Sequence, residues 1–406
     1  MLKVFAKIFL LMLVLCLRLR GSENPFTILD EKSPNFPMGQ QTRRGLLIKV
    51  PDHPDMSISL GARLQGSVEA KEGAGAWVGD FYARRIRLEF GANLSRQIFY
   101  YMDFRNDQAN KDETGEGNTV IGNTYFQVKE LFGLPYLNFQ GFRGKIDVSR
   151  ITTASSGQQL YYDRPLIALS AQQYAMPNRR APNFQLFGSY EGKIRYQVAV
   201  GDGVTSSSFF DARGVAAISI TRQDPMFGGK IVLSPIPGWE EKDRTMTYFG
   251  RGHHAAIGVG YFRNNAILFT PKTGADVTRT DRSLLNIESS FAWGPLFLCA
   301  EYFKFNGMIE NYNASTVNPG SSDGWYVTGE YVLPDFYYLA PFFKYERWDR
   351  FREAAGYFVE SYAAGANLYL MGNSFRAGLV GQRDHLEANV GGRTETVVKM
   401  ISQVHF

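Results

Sequence analysis

The chain has 406 residues, of which 44% are hydrophobic, 20% charged and 14% aromatic, with 44 basic against 39 acidic residues for a formal charge of +5. That apolar content excludes a disordered chain. The 41 Gly, 31 Phe and 22 Tyr point to many strands joined by tight turns, and two cysteines, Cys16 and Cys299, exclude a disulfide framework or a cysteine-rich metal site.

Residues 1–21 read as a secretory signal peptide. Lys3 and Lys7 supply the positive start, and the apolar run Ile8–Leu17 follows. As a helix that run rises only about 15 Å, half of a hydrocarbon core of about 30 Å. Leu13-Val14-Leu15-Cys16 has the outline of a lipoprotein box, but Leu15 is bulky where a small residue belongs. Cleavage is placed near Gly21–Ser22. Without Lys3, Lys7, Arg18 and Arg20 the balance is 40 basic against 39 acidic, or +1. Net charge therefore gives no support for an anionic partner, and no nucleic acid is expected. Residues 22–55, with five prolines between Glu23 and Asp55, read as a periplasmic lead-in too short for a receptor plug. No later apolar run is long enough for a membrane helix.

From 56 to 406 one device repeats: segments of about 9–13 residues alternate apolar and polar between Gly, Asn, Asp or Pro turns. In Ser57–Glu69, Ile58, Leu60, Ala62, Leu64 and Val68 oppose Arg63, Gln65 and Glu69. In Phe81–Asn93, Tyr82, Ile86, Leu88 and Phe90 oppose Arg85, Arg87 and Glu89. Ile98, Tyr100, Met102 and Phe104 then oppose Asp103 and Arg105, and Ile194, Tyr196, Val198 and Val200 oppose Arg195 and Gln197. Alternation returns at 255–263, 284–291, 325–331 and 375–384. A period of two puts the two sets on opposite faces of a sheet. Segments of about 9–11 residues cross a membrane when tilted, whereas soluble strands are mostly about 5–6 residues long. Tyr82, Phe104, Tyr136, Tyr261, Trp293, Trp325 and Tyr331 lie near segment ends, as interfacial girdles require. The expected fold is all-β: a transmembrane antiparallel β-barrel of about 16 strands, up-and-down in topology.

The segment Glu395–Phe406 carries Val398, Met400, Val404 and Phe406 on one parity, a lipid-facing stripe on a strand that would close the barrel. It resembles the C-terminal strand of bacterial outer-membrane proteins, whose barrel assembly machinery recognises a terminal Phe, here Phe406. Further stretches resemble the phosphate-selective porin O/P family. They are Phe81–Phe90 (FYARRIRLEF) with Phe99–Phe104, Ile151–Leu169 with Asp163-Arg164-Pro165-Leu166, Arg179–Asp202, Asp323–Leu333 and Ala363–Tyr369. The resemblance spans about 56–406. It implies a sixteen-stranded, homotrimeric porin set in membrane lipid and lipopolysaccharide.

A barrel of that size leaves an aqueous lumen whose inward residues set selectivity. Arg85, Arg87, Arg105, Lys129, Arg143, Lys145 and Arg195 are expected to line it, since guanidinium forks suit phosphate and carboxylate. Two readings stay open for them: an anion path, or a wall balanced by Glu89, Asp103, Asp147, Glu288, Glu301 and Glu330. The longest stretch without alternation, Ser149–Pro182, carries Arg150, Asp163, Arg164, Arg179 and Arg180. It reads as a constriction loop folded into the lumen or as an extracellular loop. No Gly-x-Ser-x-Gly elbow or phosphate-binding Gly-Lys-Ser/Thr loop is present. His253-His254 reads as surface, and no cofactor or metal is expected. The expected function is a water-filled channel for small anionic or polar solutes. The alternatives are a non-conducting receptor or adhesin barrel, and a secreted β-rich glycan hydrolase using Glu288 and Glu301.

Overall fold

The computed structural model describes residues 46–50, 53–73, 76–111, 118–144, 146–154, 157–170, 182–203, 218–235, 245–250, 253–271, 278–308, 320–388 and 392–405. The signal segment, Lys145, Arg179, Arg180 and Phe406 lie outside these residues.

The alternating segments are strands. In chain order they are β1 Leu46–Val50, β2 His53–Gly73, β3 Ala76–Asn93, β4 Ile98–Ala109, β5 Val120–Val128 and β6 Asn138–Arg143. Then come β7 Pro182–Tyr190, β8 Ile194–Gly201, β9 Ile218–Arg222, β10 Met226–Leu233, β11 His253–Pro271 and β12 Thr278–Trp293. The last six are β13 Leu296–Met308, β14 Gly320–Tyr331, β15 Leu339–Asp349, β16 Phe358–Asn373, β17 Phe375–Leu386 and β18 Arg393–His405. Each pairs antiparallel with its neighbours, and β18 pairs with β2 to close the ring. Strand-to-strand pairing of this kind satisfies the backbone without water, which a membrane wall requires.

Eighteen segments fill sixteen wall positions. β9 and β10 both pair with β11, at Leu268–Pro271 and Ile257–Arg263 respectively, and the break between them faces a bulge at Asn264/Ile267. β18 ends opposite Arg63 of β2, and β1 continues along the same edge from Leu60. Residues 46–50, read as lead-in, thus complete the wall; five residues are too few to show alternation by themselves.

Side chains on the outer parity, such as Leu64 at 52% exposure and Val198 at 62%, form an apolar belt. Trp293, Trp325, Tyr331, Tyr261 and Tyr136 are exposed on it, and Tyr345 packs between Trp325 and Tyr362 at 5.1 and 5.0 Å. Tyr82 is the exception. A bulge between Gln65 and Gly66 of β2 leaves Arg84 without a partner residue, so the parity of β3 switches there. Tyr82 turns inward and donates its hydroxyl to Glu69 Oε2 at 2.9 Å.

The interior differs from a uniformly polar lumen. Phe297, Cys299, Phe303, Phe305, Tyr326, Phe342 and Trp348 face inward from β13–β15 and pack against Ile146, Val148, Ile151, Leu160, Tyr161 and Ile167. The hydrophobic residues therefore coat the outside and also fill part of the inside. The short connections 94–97, 191–193 and 294–295 lie at the end where β1 and β18 meet. The long connection after β10 opens at that end too, and its residues Met246 and Thr247 are buried within the barrel.

Candidate functional site

The chain leaving β6 folds into the lumen with two short helices, α1 Arg150–Thr153 and α2 Leu166–Ser170. Ser149 caps α1 through a reciprocal pair with Thr152. Buried backbone groups need partners, and side chains of the wall provide them. Glu288 Oε2 accepts from Arg150 N at 2.7 Å, Glu301 Oε1 from Ile151 N at 2.9 Å, and Glu346 Oε1 from Ile167 N at 2.6 Å. Asn367 donates to Leu160 O at 2.7 Å, Arg376 to Gln159 O at 2.8 Å, and Gln403 to Gly157 O at 3.2 Å. The loop thus follows the wall from β12 round to β18.

Its charged residues brace it. Arg150 donates to Ser290 Oγ at 2.9 Å and to Thr245 O and Tyr248 Oη, tying the loop to the segment inserted from the opposite end. Arg164 spans to Ile151 O at 3.0 Å and Ala154 O at 3.2 Å. Asp147 meets Lys230 at 3.4 Å and Arg195 at 3.5 Å. Asp163 bonds Arg84, and Lys399 reaches it at 2.9 Å.

Burial works to raise the Asp163 carboxyl, but Arg84 and Lys399 outweigh it and hold the group well below the usual carboxylate range. A depressed carboxyl contributes stability that is present above its unfolded value of about 3.9 and lost as pH falls through the folded value. The loop is therefore expected to resist added protease equally at pH 7 and pH 5. Cleavage of the loop at pH 5 alone would show that the clamp does not form.

The remaining wall carries a different pattern. Register aligns Arg63 of β2 with Arg87 of β3 and Arg105 of β4, so three arginines stand in one row across adjacent strands. The row nearer the long loops is Gln65, Arg85 and Asp107; the row nearer the short turns is Gly61, Glu89 and Asp103. Like charges side by side are unfavourable, and the carboxylates on both sides offset this. Arg63 meets Glu89 at 2.6 Å and Arg87 meets Asp107 at 3.5 Å. Arg85 donates to Gln65 Oε1 at 2.9 Å and Tyr162 O at 3.4 Å. Asp103 accepts from Asn123 N at 2.9 Å, and a side chain at Gly122 would collide with it. Arg85, Arg87, Glu89, Tyr101 and Tyr125 keep partly exposed surfaces, whereas the inward side chains of β12–β17 are nearly all buried. Open lumen therefore lies against β3–β5.

Among the residues singled out from sequence, Arg85, Arg87, Arg105 and Arg195 face the lumen. Lys129 lies at the short-turn end with Nζ 5.9 Å from the Phe99 ring centre. Arg143 does not join them. It pairs with Thr124 on the outer parity, beside Phe126 and Phe139, and donates to Ile121 O at 2.7 Å and Gly122 O at 3.1 Å. Arg150, Asp163 and Arg164 are inside the barrel but serve the loop itself. Arg63 and Arg84 were not singled out; alternation marks Arg63 as inward, while only the bulge turns Arg84 there. His254 is buried on the inner face, 2.8 Å from Ser290 Oγ, rather than at the surface. Glu288 and Glu301 do stand opposite each other, but both accept backbone N–H groups of the loop. No metal-ligating cluster occurs among the described residues.

The chain superposes on OmpF of Salmonella typhi, solved with daunomycin, at a TM-score of 0.58 with 12% identity, covering 89% of this chain and 100% of that one. This is a porin-type barrel fold. The outer membrane channel DcaP of Acinetobacter baumannii gives a TM-score of 0.56 at 12% identity, covering 88% and 99% of the two chains. The anion-selective porin of Comamonas acidovorans gives 0.56 at 8% identity, covering 86% and 100%. An uncharacterized protein of Aquifex aeolicus strain VF5 is 23% identical over 328 residues, 74% of each chain. No protein-family model matches the sequence.

Proposed function

We propose that this protein is an outer-membrane porin, a non-catalytic channel for passive diffusion of small hydrophilic solutes with a preference for anions such as phosphate. The carrying observation is the row Arg63–Arg87–Arg105 beside Arg85, in which Arg85 and Arg87 keep partly exposed surfaces on the lumen side. Fixed guanidinium groups attract anions, and the flanking carboxylates keep them from trapping what they attract. The porin-type fold supports the channel, and the likeness to the phosphate-selective porin O/P family supports phosphate among its solutes. Lipid and lipopolysaccharide would contact the apolar belt, with homotrimers as the assembly and Phe406 as the mark read by the barrel assembly machinery.

One observation favours a second reading. The loop and the inward aromatics of β13–β15 fill so much of the interior that a closed receptor or adhesin barrel also fits. Planar-bilayer recording in a KCl gradient separates the two. The expected result is stepwise conductance with a reversal potential favouring chloride, reduced when phosphate is added. A cation-favouring reversal overturns the anion preference, and a barrel that inserts without conducting establishes the second reading.

A further inference from the structure

Below the arginine row the lumen wall changes chemistry. Register places Tyr101 of β4 beside Tyr125 of β5, and Tyr125 beside Phe142 of β6. The Tyr101 and Tyr125 rings stack at 5.0 Å and 26°, with Phe99 5.9 Å from Tyr125. Phe99 and Phe142 are buried, whereas Tyr101 and Tyr125 are only half-buried. On the other side of Tyr101 stands Gly91, which brings no side chain there. The platform lies between two polar borders. Toward the long loops are Glu89, Asp103 and the arginines; toward the short turns, register aligns Gln127, Gln140 and Gln185, the last two bonded at 3.2 Å.

We propose that this platform is a carbohydrate-binding subsite within the conduit. The inference rests on the porin reading and names a solute class for it. A sugar ring offers an apolar C–H face and a rim of hydroxyls, each both donor and acceptor. Stacked tyrosines match the face, as aromatic linings with a few placed polar groups do in small-molecule sites. The half-buried carboxylamides of Gln140 and Gln185 match the rim with donors and acceptors that carry no charge. A simple anion gains nothing from the ring faces, and at this level it meets Glu89 and Asp103. The same lumen thus carries a charged stretch for anions and a neutral, aromatic stretch for a hydroxylated ring.

Calorimetry on the full-length, detergent-solubilised barrel tests the site apart from conduction, with maltose as probe and sorbitol as the open-chain polyol of similar hydroxyl content. Maltose is expected to bind saturably and sorbitol not to bind. Tyr101→Ala with Tyr125→Ala should weaken maltose about tenfold or more, the size of losing one stacking surface, while Tyr101→Phe with Tyr125→Phe retains it. The heat-modifiable gel shift verifies that each variant is folded. In bilayers maltose should block the wild-type current saturably. Equal effects of maltose and sorbitol, binding unchanged in the alanine variant, or saturable binding of benzoate in place of maltose would each overturn the proposal. Maltose binding by a barrel that does not conduct would instead overturn the porin reading and leave the subsite standing.

Discussion

Replacing Glu288 and Glu346 together by alanine is expected to raise single-channel conductance about twofold or more while the barrel still forms. Each carboxylate accepts a loop N–H, from Arg150 and Ile167 respectively, and each also meets a lysine, Lys230 for Glu288 and Lys344 for Glu346. All four side chains are nearly or wholly inaccessible. Removing one partner of a buried charge pair costs about 3–5 kcal/mol where the other charge is left uncompensated; Lys344 loses Glu346, while Lys230 keeps Asp147 at 3.4 Å. Lys230 and Lys344 recover hydration only if the loop lifts and admits water. Displacement of the loop relieves that cost, whereas opening the wall would break whole ladders of strand pairing. The checks are bilayer conductance and a gel shift on boiling identical to that of the parent. Unchanged conductance would mean that the apolar packing of Ile151 and Ile167 holds the loop without the carboxylates.

The second large effect concerns charge. Arg87→Glu with Arg105→Glu is expected to turn the proposed chloride preference into potassium preference, moving the permeability ratio by about tenfold. The two residues are adjacent in the row and lie beside Asp103 and Asp107, so reversal creates a run of four carboxylates along one wall. Arg63 alone remains in that row, and its guanidinium is already engaged by Glu89. Reversal potentials in a KCl gradient measure the ratio directly. An unchanged ratio would place the selective step elsewhere in the lumen.

Legibility of these features in the sequence followed from how cleanly each strand separates its faces. Strand β4 is readable residue by residue: Ile98, Tyr100, Met102 and Phe104 lie outside, Asp103 and Arg105 inside. Strand β3 is readable only from Arg85 onward, because a bulge is set by the partner strand and leaves no mark on the spacing of Tyr82 and Arg84. Strand β6 has six residues, with Phe139 outside and Phe142 inside, so polarity gives Arg143 no face. In β13, Leu296, Phe297, Leu298 and Cys299 are apolar on both faces, since the inner face packs against the loop and the outer face belongs to the apolar belt. For the same reason Ile146, Val148 and Leu160 show no period: they form a core between a loop and a wall, with no strand or helix to order them. The arginine row was half visible. Each arginine is inward by its own strand's parity, but their alignment depends on register, which no single strand contains.

The meeting of β1 and β18 along one edge of β2 has a consequence for biogenesis. Most other wall contacts join neighbouring segments of the chain, although β6 and β7 are separated by the whole inserted loop. The seam joins the first strands to the last, and it includes the buried hydrogen bond that the Gln65 side chain donates to Gln403 Oε1 at 2.5 Å. Until that seam closes, β2 and β18 are raw edges at opposite sides of an open ribbon, each able to recruit a foreign strand. The slow, vulnerable moment in the life of this molecule is therefore its last one, and protection of two distant edges at once is what any helper factor has to provide.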